Sequence, residues 1–171
     1  MTSRTRELRS EMKKRIKAIT FDLDDTFWDV RPVIMSAEIK TRSFIEEKIG
    51  ELEWGSWEDF KAIREKLIQE DPSYEFDVGK LRKQLLKMKI QERLNDSKSI
   101  NELTEAAFKL FFKERNKVKF FPFVLEEIEK LSQTYKLGCL TNGNADIEMI
   151  GIKKFFRFNI CLLYTSDAAD E

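Results

Sequence analysis

Between Arg31 and Lys117 the apolar residues recur at three- and four-residue steps with no strand between them, and short apolar runs that end in polar clusters lie on either side. A chain patterned this way is expected to fold as an α/β protein whose first strand is separated from the next by a long helical insertion. The first of the flanking runs, Ile16 to Leu23, reads Ile-Lys-Ala-Ile-Thr-Phe-Asp-Leu; its β-branched content and abrupt acidic end predict a buried strand. Within the insertion, Val33, Ile34, Ala37, Phe44, Ile45 and Ile49 mark one helix that stops at Gly50. Ser56 reads as the N-cap of a second, carrying Trp57, Phe60, Ile63, Leu67 and Ile68 and running out before Asp71-Pro72. Two more helices are expected around Val78 to Met88 and Ile100 to Phe112.

After Pro122 the alternation resumes. A helix from about Val124 to Ser132 leads into a strand from Lys136 to Leu140, which ends at Thr141-Asn142-Gly143-Asn144; a further helix, Gly151 and a strand start at Phe158 to Ile160 complete the pattern. The predicted fold is therefore a partial, Rossmann-like parallel sheet interrupted by an α-helical cap. Residues 16–30 and 118–160 form the core, residues 31–117 the cap, and residues 1–15 a basic leader read as solvated.

Composition narrows the chemistry. The 171 residues are 42% hydrophobic, enough to bury a core, and include no histidine, which removes Ser-His-Asp and Cys-His catalysis and histidine-rich metal sites. Thirty-one Lys and Arg balance thirty-one Asp and Glu, so net charge points to neither nucleic acid nor an anionic membrane as partner. Cys139 and Cys161 lack zinc or redox spacing, Cys139 reads as a buried thiol, and a reducing, cytoplasmic setting is expected. No apolar run approaches a membrane span, and no signal-peptide core is present. Chemistry must run on carboxylates, hydroxyls and lysines.

Phe21-Asp22-Leu23-Asp24-Asp25-Thr26 sets two carboxylates two residues apart at the end of a strand, followed by a threonine. Phosphoryl transfer from a monoester needs an in-line nucleophile, neutralisation of the phosphate oxygens and a proton for the leaving alkoxide, roles that two such carboxylates can divide. This D-x-D-x-T sequence, with Thr141-Asn142-Gly143 downstream across a helical insertion, resembles the first two motifs of the haloacid dehalogenase superfamily of phosphotransferases. The resemblance covers about Ile16 to Ile160. It implies that Asp22 is the nucleophile, forming an aspartyl-phosphate while binding Mg2+, and that Asp24 is the general acid/base, its backbone carbonyl also binding the metal. It further implies that the Thr141 hydroxyl contacts the phosphoryl group, with backbone amides near Asn142 and Gly143 as added donors, and that Thr26 supports the loop. Carbon–halogen dehalogenases of the superfamily lack an acid at the position of Asp24, because halide leaves without a proton.

The third-motif Lys and the fourth-motif acidic pair of the superfamily are absent from this sequence; Lys153 and Lys154 come too soon after Thr141 to supply the former. The wording around the motifs, with Arg31-Pro32-Val33-Ile34 and Phe155-Phe156-Arg157-Phe158, is closest to a bacterial branch acting on 5-amino-6-(5-phospho-ribitylamino)uracil and flavin mononucleotide. A small phosphomonoester is thus the expected partner. Trp54, Trp57 and Phe60 either stack on a flavin-like ring or belong to the helical core. Alternatives are a sugar-phosphate mutase or other phosphotransferase of the same superfamily, and a non-catalytic phosphate-binding or phospho-acceptor module. The last eleven residues, Cys161 to Glu171, read CLLYTSDAADE and resemble a translated sequencing adapter. Natural sequence is expected to end near Ile160, leaving this particular chain inactive.

Overall fold

The computed structural model describes residues 16–141 and 143–161, with only the backbone of residue 161. The leader, Asn142 and the adapter-like tail beyond residue 161 lie outside the described residues. Three parallel strands, β1 (Ala18–Phe21), β2 (Lys136–Thr141) and β3 (Phe156–Cys161), form a sheet in the order β1-β2-β3. Six helices separate the first two strands: α1 (Val30–Ile49), α2 (Trp57–Glu70), the short α3 (Ser73–Phe76), α4 (Val78–Gln91), α5 (Ser97–Arg115) and α6 (Val124–Ser132), the last directly before β2. None of these helices is long and apolar enough to cross a membrane.

Local chemistry accounts for most helix ends. Asp29 caps α1 by accepting from the Arg31 amide, and Gly50 stops it at φ 86°, a left-handed conformation that costs glycine little. Ser56 and Asp59 form a reciprocal capping box at the start of α2, which satisfies two amides that the helix itself cannot. Asp77 and Asp96 do the same for α4 and α5 from one side.

The expected helix between Asn144 and Gly151 does not form. Residues 147–151 make a turn in which the Ile150 amide donates to the Asp146 carbonyl, and the Ile147 carbonyl then accepts from both Ile152 and Lys153. One helical bond is made before Gly151, at φ 85°, reverses the chain. A segment this short gains too few bonds to offset nucleation of a helix. The crossover to β3 is completed instead by a 3-10 turn, Lys153–Phe155.

Two apolar clusters result. Leu23, Phe27, Trp28, Val33, Ile128, Leu137, Cys139, Ala145, Ile147, Ile152 and Phe156 pack beneath the sheet, whereas Ile45, Leu52, Leu86, Ile90, Ile100, Leu103 and Ala107 pack among the inserted helices. Helix α1 joins the two, with Val33 in the first and Ile45 in the second, and α5 packs along it.

Sheet pairing imposes one steric demand of its own. Leu137 pairs with Phe156 but Gly138 with Phe158, so Arg157 is the extra residue of a bulge. The Phe158 ring lies against Gly138 so closely that a Cβ there would sit 2.1 Å from its Cζ. Gly138→Ala is expected to cost about 1–3 kcal/mol, the usual range for overpacking, measured by urea denaturation. Adding Phe158→Ala should recover most of the loss, because the two changes share one contact.

Candidate active site

The loop after β1 builds the site. Asp22 leaves the strand directly after Phe21, which pairs with Cys139, and Thr141 closes β2 two residues beyond Cys139. The two therefore stand at the C-terminal edge of neighbouring parallel strands, where open α/β sheets place their ligands. Beyond Asp22 the chain turns tightly. The Leu23 carbonyl accepts from the Thr26 and Phe27 amides, the Asp25 amide donates to the Trp28 carbonyl, and Asp25 sits at φ 58°. Leu23, Phe27 and Trp28 face inward and are buried, which pulls the loop onto the core, with the Trp28 ring edge-on to Phe120 at 5.7 Å. Asp22, Asp25 and Thr26 stay exposed.

Asp24 is the most constrained of the acids. Its Oδ1 accepts from the Trp28 indole nitrogen at 2.8 Å and its Oδ2 from Arg115 Nη2 at 2.7 Å. Gly143 closes the other side, since a Cβ there would lie 2.6 Å from Asp24 Oδ2 and 3.6 Å from both Arg115 Nη2 and Thr141 Oγ1. Asp24, Thr141, Gly143 and Arg115 therefore meet at one point. Thr141 is buried, and its hydroxyl oxygen accepts from the Gly143 amide at 3.1 Å, which leaves its proton available to donate. The Gly143 amide, expected to face an anion, is thus turned toward Thr141. Asp22 Oδ1 accepts from the Leu23 amide at 2.8 Å, so its side chain is held within the first loop.

Arg115 went unread in the sequence. It is the last residue of α5, yet only 2% exposed. The signal was there: Ala107, Phe111 and Arg115 succeed one another at four-residue steps, so a charge occupies the apolar stripe of the helix. Asn116 beside it is also buried and accepts from the Asp146 amide at 2.8 Å, so the end of α5 holds both motif loops. Glu114, one residue earlier, turns to Lys117 and Lys40, whose ammonium groups keep its carboxyl below the usual range.

Other nucleophiles and aromatic groups stand apart from this point. Burial pushes the Cys139 thiol up to about 12, so it stays protonated at neutral pH. Trp54 is anchored by its indole N–H to Glu46 Oε1 at 2.7 Å, while Trp57 is exposed and stacks on Phe60 at 5.2 Å. Among the described residues there is no group of three or more His, Cys, Asp or Glu placed to hold a metal ion. The groups that the resemblance assigns to the metal, the Asp22 carboxylate and the Asp24 backbone carbonyl, supply part of a divalent-cation shell at most.

The parallel sheet, with its helical insertion and acidic first loop, is a haloacid-dehalogenase-like α/β fold, and the chain is similar to hydrolases of that superfamily. It is 28% identical over 144 residues to the 5-amino-6-(5-phospho-D-ribitylamino)uracil phosphatase YigB of Escherichia coli, spanning 84% of this chain and 60% of that protein. Its structure is similar to that of a 2-haloacid dehalogenase from Pseudomonas syringae, with a TM-score of 0.78 and 36% identity over 86% of this chain and 64% of the other. The chain thus spans less than two thirds of either relative. No protein-family model matches it.

Proposed function

We propose that a protein carrying this sequence at the full length of its relatives hydrolyses small phosphate monoesters through an aspartyl-phosphate on Asp22. One observation carries the reading: a strand-end carboxylate beside Thr141, with a second carboxylate, Asp24, fixed two residues on. In the proposed reaction an Asp22 oxygen attacks phosphorus as the bond to the leaving oxygen breaks, and Asp24 supplies the proton which that oxygen takes up. In the second half Asp24 takes a proton from water as its oxygen bonds to phosphorus. The Asp22–phosphorus bond breaks, the Asp22 carboxylate is restored and inorganic phosphate leaves. The Thr141 hydroxyl donates to a phosphoryl oxygen throughout. The inserted helices α1 to α5 act as the cap that closes over the substrate.

A magnesium requirement belongs to this proposal; the metal, when bound, neutralises phosphoryl charge. Because the described residues offer only part of its shell, the remaining ligands are assigned to sequence beyond them. The relatives' names suggest two chemistries, and Asp24 favours one of them: halide departs without a proton, so dehalogenation has no use for an acid there. A ribityl phosphate or flavin mononucleotide is the proposed substrate class, in keeping with the name of the phosphatase relative.

Phosphate and halide release separate the two chemistries. The full-length protein is expected to free phosphate from flavin mononucleotide or a sugar-phosphate panel, to stop on chelation of magnesium, and to free no halide from 2-haloacids. Halide release without phosphate release would overturn the reading.

A further inference from the structure

Arg115 is a buried cation whose one ion-pair partner among the described residues is Asp24. Its Nη2 meets Asp24 Oδ2, while its Nε and Nη1 are buried and meet no acceptor among the described residues. Taking a guanidinium out of water is costly, and a single partner that leaves two nitrogens unsatisfied returns little of that cost. For filling space, Met or Leu would serve α5 better. A helix C-terminus favours a cation, but an exposed lysine gains that without burial. What the buried guanidinium supplies, and an apolar side chain would not, is a fixed donor to one oxygen of Asp24, opposite the indole N–H that holds the other.

We infer that Arg115 is the positioning residue of Asp24, fixing the rotation of its carboxylate so that Oδ2 faces Gly143 and Thr141. The inference rests on the reading of Asp24 as the acid/base. It also gives the insertion a part in the chemistry: the end of α5, 91 residues along the chain, sets the angle of a group in the first loop. Neither contact suffices alone, since a carboxylate held at one oxygen rotates about its χ2 angle.

The first test needs no turnover and uses the chain as it stands. Its three tryptophans yield three indole N–H resonances, and the one lost in Trp28→Phe belongs to Trp28. In Arg115→Met the carboxylate loses one of its two restraints, so the Trp28 indole resonance is expected to shift and its hydrogen to exchange faster, while those of Trp54 and Trp57 stay in place. Arg115→Lys, which keeps a donor without the planar fork, should give a smaller change. A folded Arg115→Met with an unmoved Trp28 resonance would overturn the inference. If the Met variant does not fold, Arg115→Lys decides by the same resonance.

In the full-length protein, kcat for phosphate release should fall about a hundredfold in Arg115→Met, the scale of a misplaced reacting group. KM should change little, and the loss should nearly vanish when Asp24→Asn is already present. An equal loss in that background marks Arg115 as merely structural. Absence of any phosphate release from the unmutated protein counts against the phosphatase reading and leaves the indole result to decide the geometry.

Discussion

Asp22→Asn is expected to abolish phosphate release in the full-length protein, leaving no rate above background. The amide is neutral and a poor nucleophile, so neither the attack on phosphorus nor the covalent intermediate is available. Burial gives no reason to expect a change in folding, because Asp22 is exposed and its side chain accepts from the adjacent Leu23 amide. Unchanged thermal unfolding with lost activity is therefore the predicted pair of results. Retained turnover in Asp22→Asn would place the nucleophile elsewhere, and the described site offers no substitute: Cys139 is buried and protonated, and Asp24 is held by Trp28 and Arg115.

The largest stability effect is expected at Trp28. The ring is fully buried, packs against Phe27 and Phe120, and carries the hydrogen bond to Asp24. Trp28→Ala should cost about 3–5 kcal/mol, since it leaves a cavity between the first loop and residues near Phe120. For a chain of this length that lowers the unfolding midpoint on the order of 10 °C. Trp28→Phe goes far to separate the two contributions: it keeps an aromatic ring in the core while removing the N–H and a small part of the ring. A loss of about 1–2 kcal/mol is expected for it, the scale of a hydrogen bond to a charged group. Calorimetry of the two variants checks this, and equal losses would mean that the ring's packing counts for little beside its hydrogen bond.

Both predictions concern the loop after β1, and it divides what was legible in the sequence from what was not. The acidic pair was found because a strand that ends abruptly in carboxylates is a local pattern. Thr141 was singled out by the resemblance to the superfamily's second motif, whereas the Gly50 stop and the Ser56 cap of α2 follow from local residue types. Each feature is specified within about four residues, the reach of a backbone turn or a cap. The parallel sheet and the helical insertion came from the order of such elements. After Asn144 the strand–helix–strand alternation predicted a further helix, which Gly151 cuts short after one bond.

The sequence by itself therefore determined the principal strands and helices, their order, and which residue types end the strands. Only the tertiary structure decided what those strand ends meet. Arg115 lies 91 residues from Asp24, and Gly138 touches Phe158 across two strands. Gly143 comes within reach of Asp24 only because β1 and β2 are neighbours, and Trp28 becomes an anchor only once Phe120 packs on it. Periodicity carries a residue's side of its own helix or strand, not the residue that the chain brings opposite. Partners of that kind are chosen when separate elements pack, and there the orientation of Asp24 is set.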